Sequence, residues 1–343
     1  MKVFKIGRHE IGSLNPVFVI AEAGINHNGS LVTAKKLVDM AKRSGANCIK
    51  FQTHITEEEM IPSKIKPGKI SKKTLWSIIK NCELSELEEK KLEQYCRKKK
   101  ILFLSTPFSI AAVNRLEKLK IKAYKIGSGE LTNTPLLEKI AETKKPIILS
   151  TGMSELYEIK NAVQLFKKFK NQLVILQTTS EYPADYKDIN LGVIEKYEKL
   201  FNVPVGISDH SIGIYTALGA VAKGACIVEK HITLDKKMPG PDQKISLDEN
   251  ELKELVKGCK AVKLALGDTK KILKKEKAIL NFARESVVST QSISKGEIFS
   301  VNNISTKRPY TGEIPATNFL SVIGKTAKNN IHKNTQLKFS DIL

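Results

Sequence analysis

Two histidines of the chain stand in equivalent positions, each just after a short apolar run. His210 follows one such run, and His231 follows the next one along the chain. Glu22 lies in the same position after an early apolar run. Imidazole and carboxylate groups that leave water positions open suit Mn, Fe, Zn or Mg. The pattern therefore predicts a divalent metal on the two histidines with Glu22 nearby, and isolated histidines bonded to the backbone are the alternative.

Cations and hydroxyl groups follow other apolar runs in the same way. The cations are Lys50 and Lys125, and the hydroxyl groups belong to Thr106, Ser128, Ser150, Ser180 and Ser208. Too few carboxylates accompany them to neutralise the lysines, so the set predicts a bound phosphate or carboxylate. Lys125 also precedes Gly127-Ser128-Gly129, where glycines let backbone N–H groups approach an oxyanion. An ion pair between Lys125 and Glu130 is the alternative for this lysine.

Eight short apolar runs carry these residues, and amphipathic segments separate them. The runs are 17–20, 47–51, 101–104, 123–126, 147–149, 173–176, 205–207 and 225–228. The segments that predict helices include 31–43, 86–99, 134–143, 155–169 and 249–266. Continuous Val, Ile and Leu runs are typical of parallel strands buried on both faces. Eight such units in about 250 residues predict an α/β fold, the (β/α)8 TIM barrel, whose strands all end at one mouth.

The pattern changes towards the C-terminus. Residues 270–284 begin with the lysine-rich stretch KKILKKEK, which predicts a linker, and residues 285–343 contain short strands and turns. We therefore expect the barrel over residues 1–269. The remaining 285–343 form a small β-rich domain, since they are too few for another barrel.

Composition narrows the class of protein. The 343 residues include 57 Lys or Arg and 36 Asp or Glu, a net charge of +21 that could attract nucleic acid, membranes or small anions. Aromatic residues make up only 6%, and no apolar run approaches the roughly 20 residues of a membrane span, so we expect neither nucleic acid nor membrane as a partner. No apolar leader follows Met1 and no CxxC pair occurs, so we expect a cytoplasmic enzyme whose five cysteines are reduced.

An ordered set of motifs along the chain resembles the sialic acid synthases. The motifs are AEAGINHNG (21–29), KFQT (50–53), LSTPF (104–108), KIGSGE (125–130), STGM (150–153), SDH (208–210), EKH (229–231) and GPD (240–242). The tail, with KGE (295–297) and KRP (307–309), resembles the antifreeze-like (SAF) domain that is fused to those synthases. The resemblance covers nearly the whole chain and is strongest to the bacterial N-acetylneuraminate synthases.

This resemblance implies a reaction. The family condenses phosphoenolpyruvate with N-acetylmannosamine to give N-acetylneuraminate and phosphate, by C–O cleavage through a tetrahedral intermediate. The resemblance places Mn²⁺ on His210 and His231, where it would polarise the sugar aldehyde, with Mg²⁺ or Co²⁺ as alternatives. Glu22 would act beside it as an acid, a base or an orienting group. The product would serve the biosynthesis of a surface polysaccharide.

The same resemblance assigns the contacts of both substrates. Phosphoenolpyruvate would contact Lys50, Thr106, Lys125, Ser128, Ser150, Ser180 and Ser208, and the sugar would contact Gln52, Tyr182, Asp242, Phe282 and Arg308. Arg308 would come from the SAF domain of the other subunit, because the family forms domain-swapped homodimers. Some bacterial relatives have Asn in place of Ser180, so the phosphate contact of this shorter side chain stays open. The residue after Asp242 varies within the family, which leaves open which sugar is accepted.

Other interpretations remain. A synthase of legionaminic or pseudaminic acid would take a 2,4-diacetamido-trideoxyhexose, and an enzyme that makes the 9-phosphate would take N-acetylmannosamine 6-phosphate. A Schiff-base aldolase would use Lys125 as its nucleophile. A carbohydrate- or ice-binding protein would depend on the tail, although a scaffold has no reason to gather two histidines, two lysines and a glutamate at one rim.

Overall fold

A computed structural model describes residues 3–66 and 73–343 of the chain. Met1, where the N-terminal sequence predicts no apolar leader, lies outside the described residues. The chain divides into two units, Met1–Gly267 and Asp268–Leu343. Each unit has its own apolar core.

The first unit is the predicted α/β barrel. Its eight parallel strands are β3 (Phe18–Gly24), β4 (Cys48–Thr53), β5 (Leu102–Pro107), β6 (Tyr124–Ile126), β7 (Ile147–Ser150), β8 (Leu173–Thr178), β9 (Val205–Ser208) and β10 (Ile227–His231). They are hydrogen-bonded in the order β5-β4-β3-β10-β9-β8-β7-β6, and β5 and β6 pack side by side at the ends of this order. An antiparallel hairpin of β1 (Phe4–Ile6) and β2 (His9–Ile11), which the sequence analysis does not predict, precedes the barrel.

Helices connect the strands. They are α1 (Leu31–Arg43), α2 (Thr56–Glu59), α3 (Leu75–Cys82), α4 (Glu86–Lys98), α5 (Ile110–Lys118), α6 (Thr134–Glu142), α7 (Leu156–Lys168), α8 (Val193–Phe201), α9 (Tyr215–Ala222) and α10 (Glu249–Ala265). Polar residues set where several helices begin. Ser85 and Asp248, for example, each form a capping box with a glutamate three residues later.

Side chains of the strands alternate between the barrel interior and the surrounding helices. The lower interior is a buried apolar cluster that includes Phe18, Ile20, Cys48, Leu104, Ile148, Leu176 and Ile227. Phe4, Ile6 and Ile11 of the hairpin belong to the same cluster. The next inward position along several strands is polar or charged, as with Glu22 after Ile20 and Lys50 after Cys48, so the polar side chains at the mouth rest on an apolar floor.

The second unit contains α11 (Lys277–Ala283), β11 (Ser286–Ser289), β12 (Ile304–Lys307) and α12 (Phe319–Val322). Strands β11 and β12 pair antiparallel. Its core includes Val287, Phe299, Ile304, Ile314 and Leu337. Helix α11 falls within the predicted linker 270–284.

Two expectations on composition can be compared with the structure. All five cysteines are buried and free, which agrees with the prediction of reduced thiols. Across residues 3–66 and 73–343, no helix has the length and apolar character that a bilayer span requires.

Candidate active site

A buried ion pair joins the first two barrel strands at the mouth. Glu22 on β3 and Lys50 on β4 are direct neighbours in the strand register. The Nζ atom of Lys50 lies 2.7 Å from Oε2 of Glu22 and 3.2 Å from Oγ1 of Thr106. Both charged side chains are at most 3% exposed. Three of the predicted site residues therefore meet in one contact network.

Glu229 is the centre of this network, and the sequence analysis assigned it no role. Its Oε1 atom lies 3.8 Å from Nζ of Lys50 and 3.5 Å from Nζ of Lys125, and it accepts a hydrogen bond of 3.0 Å from Ser208. Its position two residues before His231 could have indicated that it faces the barrel interior, because residues i and i+2 of a strand share a face. Glu229 therefore links the two predicted anion-binding lysines. Together with Glu22 it provides one carboxylate for each lysine, so the expectation of too few carboxylates at this rim is wrong.

Lys125 does not form the alternative ion pair with Glu130. Its Nζ atom donates a 2.7 Å hydrogen bond to Ser150, besides its approach to Glu229. Glu130 instead accepts a hydrogen bond from Asn133. Lys125 therefore points into the barrel, towards the group that contains Lys50.

Burial shifts the pKa values of these charged groups. It raises the pKa of Glu22 to about 7, against the opposing effect of Lys50, and it lowers the pKa of Lys125 to about 8. Burial alone would raise the pKa of Glu229, but Lys125 and Lys50 outweigh it and hold that pKa below its usual value. Burial opposes the charge of Lys50, yet the two carboxylates raise its pKa. Glu22 and Lys125 can therefore both change protonation state within about one pH unit of neutrality.

A cup of hydroxyl groups lies between strands β6, β7 and β8. The backbone N–H of Gly152 donates a 3.0 Å hydrogen bond to Oγ of Ser128. A Cβ atom on Gly152 would collide with Oγ of Ser180 and lie only 2.8 Å from Oγ of Ser128. The missing side chain thus leaves room where two predicted phosphate ligands converge. Gly152 is a second residue without a role in the sequence analysis, although its motif, STGM, was among those singled out.

The two histidines lie next to each other at the ends of β9 and β10. Their ring centroids are 5.5 Å apart. Burial lowers the pKa of His210 to about 4, and burial together with the neighbouring His210 lowers the pKa of His231 far below its usual value. Both imidazoles are therefore neutral at physiological pH, the state in which a ring nitrogen can bind a metal.

The hydrogen bonds of the two rings agree with this state. His210 donates from Nδ1 to the carbonyl oxygen of Thr179 at 2.7 Å, which leaves its Nε2 lone pair facing the hydroxyl of Tyr182 at 3.2 Å. Nδ1 of His231 is buried without a hydrogen-bond partner. Each ring thus keeps one lone pair, which fits a divalent ion with two protein ligands. No group of three or more His, Cys, Asp or Glu suited to a metal occurs in the described part of the chain.

Two residues predicted to contact the sugar, Tyr182 and Asp242, lie against this pair, and a third, Gln52, lies against Glu22. Gln52 donates from Nε2 to Oε1 of Glu22 at 3.3 Å. Tyr182 stacks on His210 with ring centroids 4.2 Å apart. Oδ2 of Asp242 lies 3.6 Å from Nδ1 of His231, and burial raises the pKa of Asp242 to about 6.

Two loops hold Asp242 in place. Asn26, in the loop after β3, donates to the carbonyl oxygen of Ile232 and to Oγ of Ser246, both at 2.9 Å. Oγ of Ser246 in turn donates to the carbonyl oxygen of Asp242 at 2.6 Å. The AEAGINHNG motif therefore supports the loop that carries Asp242.

Phe282 and Arg308 belong to the second unit. Phe282 is 70% exposed, and the side chain of Arg308 is also exposed. Their roles as sugar ligands stay predictions.

A separate cavity of about 830 Å³ lies beside α10 and the amino-terminal ends of β3 and β4. Its lining includes Val17, Asn47, Val256 and Cys259. None of the predicted site residues lines it. In a TIM barrel the chemistry takes place at the carboxyl-terminal ends of the strands, so this cavity is not the candidate site.

Fold and site together define a TIM-barrel protein with a buried lysine–carboxylate cluster and two neutral histidines at its mouth. A model of the NeuB family matches residues 37–271, and a model of the SAF domain matches residues 284–343. The chain belongs to the NeuB family and carries a C-terminal SAF domain.

Individual relatives cover almost the full length. The chain is 41% identical to the N,N'-diacetyllegionaminic acid synthase of Campylobacter jejuni, over 95% of this chain and 100% of that protein. It is 39% identical to a pseudaminic acid synthase of the same species, over 97% of this chain and 99% of that protein. A crystal structure of a sialic acid synthetase from Leptospira borgpetersenii superposes with a TM-score of 0.74 at 36% identity, covering 81% of this chain and 95% of that one.

Proposed function

We propose that this protein is a nonulosonic acid synthase, which condenses phosphoenolpyruvate with an N-acylated mannose-type sugar and releases phosphate. One observation carries the proposal. Lys50 and Lys125, both buried, converge on Glu229 directly beside two neutral histidines. Buried cations at a barrel mouth suit a small, highly charged anion, and the histidines suit an electrophilic partner bound next to it.

Phosphoenolpyruvate would bind over the lysines and the hydroxyl cup. Its acidic groups would contact Lys50, Lys125, Thr106, Ser128, Ser150, Ser180 and Ser208, together with the N–H of Gly152. Several of these groups already lie within hydrogen-bond distance of a lysine or of one another. This prearrangement lowers the cost of ordering the site when the anion binds.

The chemistry needs a nucleophilic carbon, an aldehyde and one water molecule. C3 of phosphoenolpyruvate would attack the sugar aldehyde, whose oxygen takes up a proton. Water would then add to C2 and lose a proton, and phosphate would leave as the C2–O bond breaks. Glu22, with a pKa near 7, can hold or release a proton at these steps.

His210 and His231 would hold a divalent ion, with Mn²⁺ as the first candidate and Mg²⁺ or Co²⁺ as alternatives. When bound, such an ion supplies Lewis acidity towards the aldehyde oxygen of the sugar. Tyr182 and Asp242 would then border both the ion and the sugar, because each lies against one of the two rings.

Two sugars are candidates for the acceptor substrate. N-acetylmannosamine, giving N-acetylneuraminate, is the acceptor that the motifs predict. A 2,4-diacetamido-trideoxyhexose is the second candidate, because the relatives named for legionaminic and pseudaminic acid are 41% and 39% identical to this chain. We further propose, from the family resemblance, a domain-swapped homodimer in which Phe282 and Arg308 complete the sugar site.

The test is phosphate release from phosphoenolpyruvate in the presence of Mn²⁺. N-acetylmannosamine, its 6-phosphate and the two 2,4-diacetamido acceptors are supplied separately, each with and without a chelator. We expect acceptor-dependent release that the chelator abolishes. Absence of release with every acceptor and every metal would refute the proposal, and borohydride trapping of pyruvate on Lys125 would favour the aldolase instead.

A further inference from the structure

Gln52 lies between two other side chains of the site. Its Nε2 atom donates to Oε1 of Glu22 at 3.3 Å, and its Oε1 atom lies 2.9 Å from Nε2 of His54. The two ends of a carboxamide have nearly the same shape but opposite hydrogen-bonding character. The neighbours of Gln52 therefore decide which end faces Glu22.

His54 is held rigidly from two sides. Its Nδ1 atom lies 2.9 and 3.0 Å from the two carboxylate oxygens of Glu59. Its ring stacks on Phe108, with ring centroids 4.4 Å apart and an interplanar angle of 20°. The side chains of His54 and Glu59 are only 4% and 3% exposed. These contacts hold the ring in one buried orientation between Glu59, Phe108 and Gln52.

Both ring nitrogens of His54 face oxygen atoms. Because an amide oxygen can only accept a hydrogen bond, the 2.9 Å contact with Oε1 of Gln52 is donated by Nε2 of His54. Donation to the amide oxygen of Gln52 directs the NH₂ group of Gln52 towards Glu22. If the amide turned over, its oxygen would face the Glu22 carboxylate, and two acceptors would then stand opposite each other.

We propose that His54 and Glu59 are positioning residues, which hold the amide of Gln52 in the one orientation that serves Glu22 and the sugar. The inference rests on the proposed function, because it takes Gln52 as a contact of the sugar acceptor. Neither His54 nor Glu59 touches the substrates in this scheme. Their effect reaches the site through Gln52 alone.

The test compares three variants at the two residues. His54→Phe keeps a ring against Phe108 but removes both nitrogens. His54→Gln restores a donor towards Gln52, and Glu59→Gln keeps a hydrogen-bonding partner for Nδ1. We expect His54→Phe to lower kcat/KM for the sugar about tenfold, the equivalent of one hydrogen bond to a charged group. KM for phosphoenolpyruvate should change less than twofold, and His54→Gln and Glu59→Gln should each retain most of the wild-type kcat/KM for the sugar.

Thr53→Val is the matched control. Thr53 precedes His54 by one residue and lies on the other face of β4, where it contacts Glu89 and Ser105. The control should lower the melting temperature without changing the kinetics of either substrate. Unchanged sugar kinetics in His54→Phe, or an equal loss for both substrates, would overturn the proposal.

A structural measurement separates this proposal from the proposed function. In crystals of His54→Phe, the distance from Gln52 Nε2 to Glu22 Oε1 should exceed the hydrogen-bond range, while it stays near 3.3 Å in the wild type. An unchanged Gln52 in the variant would refute the positioning role even if the wild type released no phosphate. An inactive wild type with a displaced Gln52 in the variant would refute only the assigned reaction.

Discussion

Lys125 provides the sharpest test of how the site binds its anion. Its Nζ atom donates to Ser150 at 2.7 Å and lies 3.5 Å from Glu229. Replacement by Met keeps the length of the side chain but removes the charge. Glu229 would then lose one of its two cations and repel an incoming anion. We expect a weaker apparent affinity for phosphoenolpyruvate, with a smaller effect on the sugar.

The magnitude follows from the interaction that is lost. A hydrogen bond to a charged group contributes about 1.5–3 kcal/mol, and about 1.4 kcal/mol corresponds to a factor of ten. Lys125→Met should therefore lower kcat/KM for phosphoenolpyruvate by roughly 10- to 150-fold. The repulsion from Glu229 places the expected value towards the upper end of that range.

The pKa of Lys125 gives this prediction a pH dependence. Because burial lowers that pKa to about 8, the wild-type lysine is charged below pH 8 and neutral above it. We expect kcat/KM for phosphoenolpyruvate to fall about tenfold for each pH unit above 8. Lys125→Arg, which stays charged throughout this range, should have lower activity but no such decline.

The assay is phosphate release at varied phosphoenolpyruvate, with saturating sugar and metal, between pH 6 and 10. Circular dichroism at each pH confirms that the variants stay folded. An effect of Lys125→Met below threefold would refute the role of this cation. The same decline above pH 8 in wild type and Lys125→Arg would show that another group titrates there.

Three further predictions concern the cup, the barrel wall and the second domain. Gly152→Ala should raise KM for phosphoenolpyruvate, because the new Cβ collides with Oγ of Ser180. Gly192→Ala is the control, since its Cβ would meet open space, and it should leave this KM unchanged. Equal KM values for the two variants would contradict the role of the hydroxyl cup in binding phosphoenolpyruvate. Burial raises the pKa of Glu89 from its ordinary 4.5 to about 7, so the folded state binds the carboxyl proton more tightly than the unfolded state does. As the pH rises from 4.5 to 7, the free energy of unfolding of the wild type should therefore fall by about 3 kcal/mol. Urea titrations of Glu89→Gln should lack that decline, and parallel pH curves would contradict it. Removal of residues 285–343 should abolish phosphate release while the circular dichroism of the barrel persists, and a fully active truncation would argue against domain exchange.

The order of elements could be predicted because local pattern determines it. Each of the eight apolar runs overlaps a barrel strand, and the segment predicted as 31–43 is helix α1 (Leu31–Arg43). Short Val, Ile and Leu runs do not present a single apolar face, so a barrel that covers both faces of its sheet is the fold they favour. The hairpin at Phe4–Ile6 and His9–Ile11 escaped prediction because it is too short to show a period.

The gathering of charged and polar residues at one mouth also followed from the sequence. All parallel strands end at the same face of a barrel, so residues such as Glu22, Lys50 and Lys125 had to share it once the fold was assigned. The residue types at these positions then indicated an anion site and a metal site. That much depends only on the type of each residue and its place along its own strand.

Which partner each group has was decided by the tertiary structure. Lys125 contacts Glu229, four strands away along the chain, rather than the nearby Glu130. Contacts across a barrel depend on strand register and tilt, which no local pattern encodes. The pKa shifts of Glu22 and Lys125 likewise come from burial above an apolar floor, to which β3, β4, β5, β7, β8, β10 and the hairpin contribute. The sequence thus determined which chemical groups reach the mouth, and packing decided their neighbours and their protonation.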